Sequence, residues 1–125
     1  MGESRPPVLL VTSHPDTAEL YGFALEHAGF SVRCVPETDE AVDTCRAAPP
    51  LAVIVHFRPR HDPLAVGTAL RQASVHAALL GLFSMQLPIS TLSKVLESFD
   101  DVVMIPCAPD ALVDRLTRVV QRKRT

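Results

Sequence analysis

The chain has 125 residues, 47% of them hydrophobic and 21% charged, with a formal net charge of -2. That size and balance suit one compact domain that buries about two thirds of its unfolded surface, and exclude a disordered chain or one needing a disulfide or metal staple. A mildly acidic chain lacks the basic face that gripping a nucleic-acid backbone requires, so no direct nucleic-acid partner is expected.

Aromatic residues are 5% of the chain and tryptophan is absent, so the core must rest on Leu, Val, Ala and Ile. Such a core suits buried parallel strands. No apolar run reaches the ~18 residues of a membrane span, and Met1 to Pro7 lacks the apolar region of a signal peptide. A cytoplasmic chain with no membrane partner is the expectation. Cys34, Cys45 and Cys107 lack CxxC spacing and read as reduced thiols packed like small hydrophobes. The basic run Gln121-Arg122-Lys123-Arg124-Thr125 reads as a solvated helix end, or less readily as a small phosphate-contacting tail.

In chain order, Val8–Val11 is the first apolar run. Ser13 with Asp16 three residues on resembles a capping box, and Pro15 suits a first helical turn. Leu20, Phe23, Ala24, Leu25 and Ala28 recur at helical spacing until Gly29 ends the helix, with Phe30 placed to pack back. Ser31–Val35 alternates like a strand. Thr38–Ala47 reads as a short helix burying Ala41, Val42 and Cys45, stopped by Pro49-Pro50. Leu51–Val55 is wholly apolar and rich in β-branched residues, as a central strand should be.

A loop from Arg58 to Pro63 precedes a predicted helix over Leu64–Val75. Ala78–Phe83 is the fourth apolar run. Leu87–Phe99 is helical in pattern, with Leu92, Val95, Leu96 and Phe99 on one stripe. Val102–Ile105 is the fifth strand, closed by Pro106, and Pro109–Arg122 is a helix burying Leu112, Leu116, Val119 and Val120. Five strands alternating with five helices predict right-handed crossovers and a parallel sheet covered on both faces. No linker or repeat interrupts the pattern, so residues 1–125 read as one domain.

Three stretches carry a resemblance. They are Val8 through Asp16, Leu51 through Pro59, and Phe99-Asp100-Asp101-Val102-Val103-Met104-Ile105-Pro106-Cys107. Together with the element order they resemble the receiver domains of response regulators over nearly the whole chain. The resemblance implies an α/β, flavodoxin-like, doubly wound (β/α)5 sandwich with a five-stranded parallel sheet in the order 2-1-3-4-5, and a place in two-component signalling.

The family's chemistry uses an acidic pair after the first strand and a phosphoacceptor Asp ending the third. A Thr or Ser follows the fourth strand and a Lys ends the fifth. Carboxylates hold Mg²⁺, a hard cation wanting oxygen ligands, while metal and Lys neutralise the phosphoryl oxygens. Carried over by position, the acidic pair falls on Thr12 and Ser13, and the phosphoacceptor on His56, or on Val55 if the loop near Pro59 keeps its length. The hydroxyl falls on Phe83 or Ser84, and the Lys on Ile105. Each requirement fails. The resemblance therefore implies a non-enzymatic, phosphorylation-independent module with no cofactor, working by contact with a protein partner or an output domain.

Other chemistry finds little footing. His56, His61 and Asp62, with His14 nearby in the implied fold, could hold Zn²⁺ or Ni²⁺, but no helical His pair or Cys ligand supports them, and no cation or base marks His56 as a phosphohistidine. Ser13, Ser84 and Ser90 lack a G-x-S-x-G setting, Cys107 reads as a space-filler before a redox thiol, and no glycine-rich phosphate loop is present.

Receiver domains pair through the face of the fourth helix, fifth strand and fifth helix. Here that face carries Lys94, Glu97, Asp100, Asp101, Arg115 and Arg118, which could register a homodimer about a two-fold axis. An Asp114–Arg118 helical pair on a solvated face is the plainer reading. Ser98 stands where the family favours glycine, so the turn there is expected to be reshaped. The alternative function is small-ligand sensing in the neutralised crevice at the strand C-termini.

Overall fold

A computed structural model describes residues 5–59 and 61–124. The extreme N-terminus, Arg60 of the third loop and Thr125 of the basic run lie outside these residues. Strands and helices alternate without exception: β1 (Pro7–Val11), α1 (Pro15–His27), β2 (Ser31–Val35), α2 (Thr38–Ala47), β3 (Ala52–Phe57), α3 (Pro63–Ala73), β4 (Ala78–Phe83), α4 (Ile89–Ser98), β5 (Asp101–Met104) and α5 (Pro109–Arg124). The strands form one parallel sheet in the order β2-β1-β3-β4-β5. Among the described residues no helix is long and apolar enough to cross a membrane.

Strand residues alternate between two cores, as the pleat demands. Val8, Leu10, Ile54, Leu80 and Leu82 pack under α1 and α5, against Tyr21, Leu25, Leu112 and Leu116. Leu9, Val53, Val55 and Leu79 face the other way, under Ala41, Cys45, Leu70 and Val95 of α2, α3 and α4. The central strands are therefore apolar on both faces, which is why their runs show no alternation in sequence.

Gly29 ends α1 at φ 107, a region that side chains disfavour. Its N–H donates to Glu26 O at 3.0 Å and that of Phe30 to Leu25 O at 3.1 Å, the paired bonds of a Schellman stop.

Several expectations need correction. The cap of α1 is His14 rather than Ser13, its Nδ1 accepting from Thr17 N–H at 3.3 Å. Leu20 and Phe23 do not pack inward: they are 50% and 72% exposed, and α1 buries Tyr21, Gly22 and Leu25. The reason is the Tyr21 hydroxyl, which donates to Cys107 O at 3.0 Å and accepts from Cys107 N–H at 3.2 Å, fixing the rotation of the helix. Leu96 likewise lies at the surface, 43% exposed. Cys34 is exposed on the edge strand β2, whereas Cys45 is buried and Cys107 half-buried.

Boundaries move as well. β3 runs two residues beyond Val55, to Phe57. α3 starts at Pro63 because Asp62 caps it, Oδ1 accepting from Leu64 N–H at 3.1 Å. α4 begins only at Ile89, after Pro88, and β5 runs from Asp101 to Met104. Ser98 closes α4 and Phe99 is extended at φ -91, so the turn before the acidic pair is not left-handed.

Candidate functional site

In a parallel sheet every strand ends on the same edge, so the loops after β1, β3, β4 and β5 converge there. The register sets Val11 beside Val55, His56 beside Leu82 and Phe83 beside Met104. One residue further on, Thr12 stands beside His56, with Thr12 Oγ1 3.0 Å from His56 Nδ1. Val55 is buried in the opposite core. His56 is thus the β3 residue that faces the crevice.

Thr12 is itself almost wholly buried and fully used. Its N–H donates to Val35 O at 2.9 Å, and its hydroxyl oxygen accepts from His14 N–H at 3.1 Å. The hydroxyl hydrogen is then available to His56 Nδ1, an arrangement that suits a neutral imidazole protonated on Nε2. Burial, followed by the charges of Arg58, His14 and His61, holds the His56 pKa below its ordinary 6.5. The His14 ring sits edge-on to His56 at 6.3 Å.

Ser13 is exposed, with Arg58 Nη1 at 3.5 Å from its hydroxyl, a long contact. His61 accepts from Arg58 N–H at 3.0 Å, and Asp62 is committed to its cap. The histidines and Asp62 therefore serve the loops. Among the described residues no group of three or more His, Cys, Asp or Glu is placed to share a metal ion.

Phe83 and Ile105 are buried, 4% and 9% exposed. The Phe83 ring stacks on Phe57 at 4.8 Å, and Phe99 meets Phe57 edge-on at 5.4 Å. Gly81 makes room for this, since a Cβ there would come within 3.1 Å of the Phe83 ring. Ile105 N–H donates to Phe83 O at 2.8 Å, and the side chain packs with α1 and α5. Ser84 is left exposed at the end of β4.

What remains of the edge is divided into shallow clefts. One of about 150 Å³ lies beside Phe57, Arg58 and Ser84; another of 210 Å³ lies beside Thr17, Ser84 and Ile105. Small-molecule sites usually enclose about 300–1,000 Å³. These two clefts lie below that range.

The face of α4, β5 and α5 carries a different chemistry. Arg115 grips Asp101 through two bonds, Nε to Oδ2 and Nη2 to Oδ1, both 2.7 Å. Burial alone would raise the Asp101 carboxyl, but the Arg115 bonds and Val102 N–H outweigh it, and the net pKa shift is downward from 3.8. Asp100 accepts from Leu79 N–H at 2.8 Å, Arg71 at 3.1 Å and Lys123 at 3.3 Å. Of the six charged residues expected to face a partner, Asp100, Asp101 and Arg115 are thus engaged within the chain. Lys94, Glu97 and Arg118 remain exposed. Among the described residues the expected Asp114–Arg118 pair does not form.

Sequence reading missed Arg71 and Lys123 as partners of Asp100, and the Thr12–His56 bond. Only the last had a usable signal, because the strand order places Thr12 and His56 side by side.

Neither a protein-family model nor a curated protein sequence matches the chain. Solved structures do. A response regulator receiver domain protein (CheY-like) from Methanospirillum hungatei superposes with a TM-score of 0.86 at 12% identity, covering 97% of this chain and 98% of its own. The fold is the receiver fold. The signal receiver domain of a signal transduction histidine kinase from Syntrophus aciditrophicus gives a TM-score of 0.80 at 24% identity, covering 96% and 94%. NtrX from Brucella abortus matches 96% of this chain with 28% of its own, at 19% identity and a TM-score of 0.82. There the receiver fold is one part of a longer chain. Identities this low speak to architecture and leave function to the residues present.

Proposed function

We propose that this chain is a non-enzymatic signalling module of two-component type that keeps the receiver fold but works without phosphoryl transfer, by contact with a protein partner or output domain. The observation that carries the reading is the crevice itself. Where the receiver reaction needs carboxylates, a nucleophile and a cation, the strand ends present Thr12, Ser13, His56, Ser84 and Ile105.

Magnesium wants an octahedron of oxygens with carboxylate charge among them. Thr12 Oγ1 is already occupied by His14 N–H and His56, and His56 offers nitrogen. The donor set does not fit the ion. A buried Ile105 in place of a Lys leaves no ammonium to neutralise a phosphoryl group.

The test is direct. After incubation with Mg²⁺ and a small acyl phosphate, intact mass is expected to be unchanged. A stable gain of about 80 Da, one phosphoryl group, overturns the reading.

A further inference from the structure

An imidazole whose Nδ1 accepts a hydrogen bond must carry its hydrogen on Nε2. The three histidines at the C-terminal ends of β1 and β3 are all set this way. His14 Nδ1 accepts from Thr17 N–H at 3.3 Å, and His61 Nδ1 from Arg58 N–H at 3.0 Å. Both donors are backbone groups, so the chain itself fixes these tautomers. His56 Nδ1 faces the Thr12 hydroxyl at 3.0 Å, and the Thr12 oxygen already accepts from His14 N–H at 3.1 Å. The lone pairs of this corner are spent inside the loops, and what it turns outward are donors.

We propose that the loops after β1 and β3 bind a small oxyanion, held by the Arg58 guanidinium, the Nε2–H groups of His14 and His56, and the Ser13 hydroxyl. β1 and β3 are neighbours in the sheet, which sets these loops side by side. The Arg58 side chain crosses from one loop to the other, its Nη1 3.5 Å from Ser13 Oγ, and the His14 and His56 rings lie 6.3 Å apart. Among the described residues that long contact is the one hydrogen bond of a guanidinium with five N–H groups, and no acceptor meets Nε2 of His14 or His56.

The local charge agrees. The charges acting on His56 are those of Arg58, His14 and His61, and no carboxylate is among them. This edge of the sheet does carry acids. Asp16, Asp39, Glu40 and Asp110 sit in the first turns of α1, α2 and α5, where the helix dipole favours them, and Glu37 stands at the start of α2. Asp62 Oδ1 takes the N–H groups of Leu64 and Ala65. Among the described residues none of these carboxylates pairs with Arg58.

Size and donor type then choose the ligand. Ser13 and His14 line a cleft of about 180 Å³, and Arg58 lines the one of about 150 Å³. Each is several times the ~30 Å³ share of one water, room for a small ion and short of a drug-sized site. A cation would find the imidazole lone pairs occupied. An oxyanion such as sulfate or phosphate can accept from a guanidinium, two rings and a hydroxyl at once, with no metal ion between them.

The experiment titrates the isotope-labelled full chain with sulfate at about pH 7.5, at constant ionic strength set by chloride, and follows side-chain resonances by NMR. Saturable shifts are expected at His14, His56 and Arg58, and phosphate should produce the same set. Arg58→Gln keeps the backbone N–H that His61 accepts and should lower the affinity about tenfold. His14→Ser keeps a capping oxygen while withdrawing the ring, and should weaken binding too. Lys94→Gln, on α4, should change nothing.

An absence of saturable shifts overturns the proposal, as does equal affinity in Arg58→Gln or an equal loss in Lys94→Gln. Binding confined to pH values below about 6 overturns it as well, because the attraction would then come from imidazolium charge rather than from neutral donors. So does Mg²⁺ shifting the same resonances, since lone pairs would then be available. Phosphoryl transfer is a separate question. A noncovalent ion is shed in a denaturing mass measurement, so the two readings fail separately.

Discussion

The two edges of the sheet are built from different materials. At the N-terminal edge, where β4 and β5 begin, charge is dense and fully employed. Arg71 donates to Val75 O, Ala77 O and Ser98 O at 2.8 to 3.0 Å, and pairs with Asp100. Asp100 in turn takes Leu79 N–H and Lys123. At the C-terminal edge the loops after β1 and β3 are joined by a neutral bond, Thr12 to His56 at 3.0 Å, and by the long Arg58–Ser13 contact at 3.5 Å. Ion pairs hold the loops of the N-terminal edge together, whereas these two contacts between loops at the C-terminal edge are hydrogen bonds. The N-terminal clasp is therefore expected to contribute more to stability than the Thr12–His56 link.

The largest consequence falls on Asp100. Asp100→Ala removes the acceptor for a strand N–H and strands a partly buried guanidinium, so a loss of about 2–3 kcal/mol is expected in urea unfolding. A loss below about 1 kcal/mol would show that the N-terminal clasp is ornamental and the contrast between edges is false.

Legibility follows the range of the interaction. The strands could be read because Val8–Val11, Leu51–Val55 and Ala78–Phe83 are apolar without a break, and two helix ends and a strand end because Gly29, Pro49 and Pro106 punctuate the chain locally. The rotation of α1 could not, because Leu20 and Phe23 are as apolar as Leu25 and the deciding bond joins Tyr21 to Cys107, 86 residues away. Asp100 looked like a surface acid for the same reason, its arginine lying 29 residues earlier. At the crevice the residue types were legible but not their pairing. Thr12 and His56 are 44 residues apart, and only the strand order joins them.

A smaller effect is expected at the other edge. Thr12→Val keeps the shape but deprives His14 N–H and His56 Nδ1 of their partner, at a cost of about 1 kcal/mol in the same measurement. If it matched Asp100→Ala, the crevice would be as much a part of the scaffold as the clasp.

The pH dependence of stability should divide the two edges most finely. His56 has a folded pKa below 6.5, so as pH falls from 6.5 the unfolded chain binds the proton first and stability declines, until the lower folded value is passed and the decline stops. Asp101 acts in a separate, more acidic window. Its folded pKa lies below 3.8, so its contribution is present above 3.8 and is lost as pH drops through the folded value. Unfolding free energies measured across both windows should therefore show two descents. His56→Gln should flatten only the first, and Asp101→Asn only the second. A first descent that survives His56→Gln would place the titrating group elsewhere than the half-buried imidazole of the crevice.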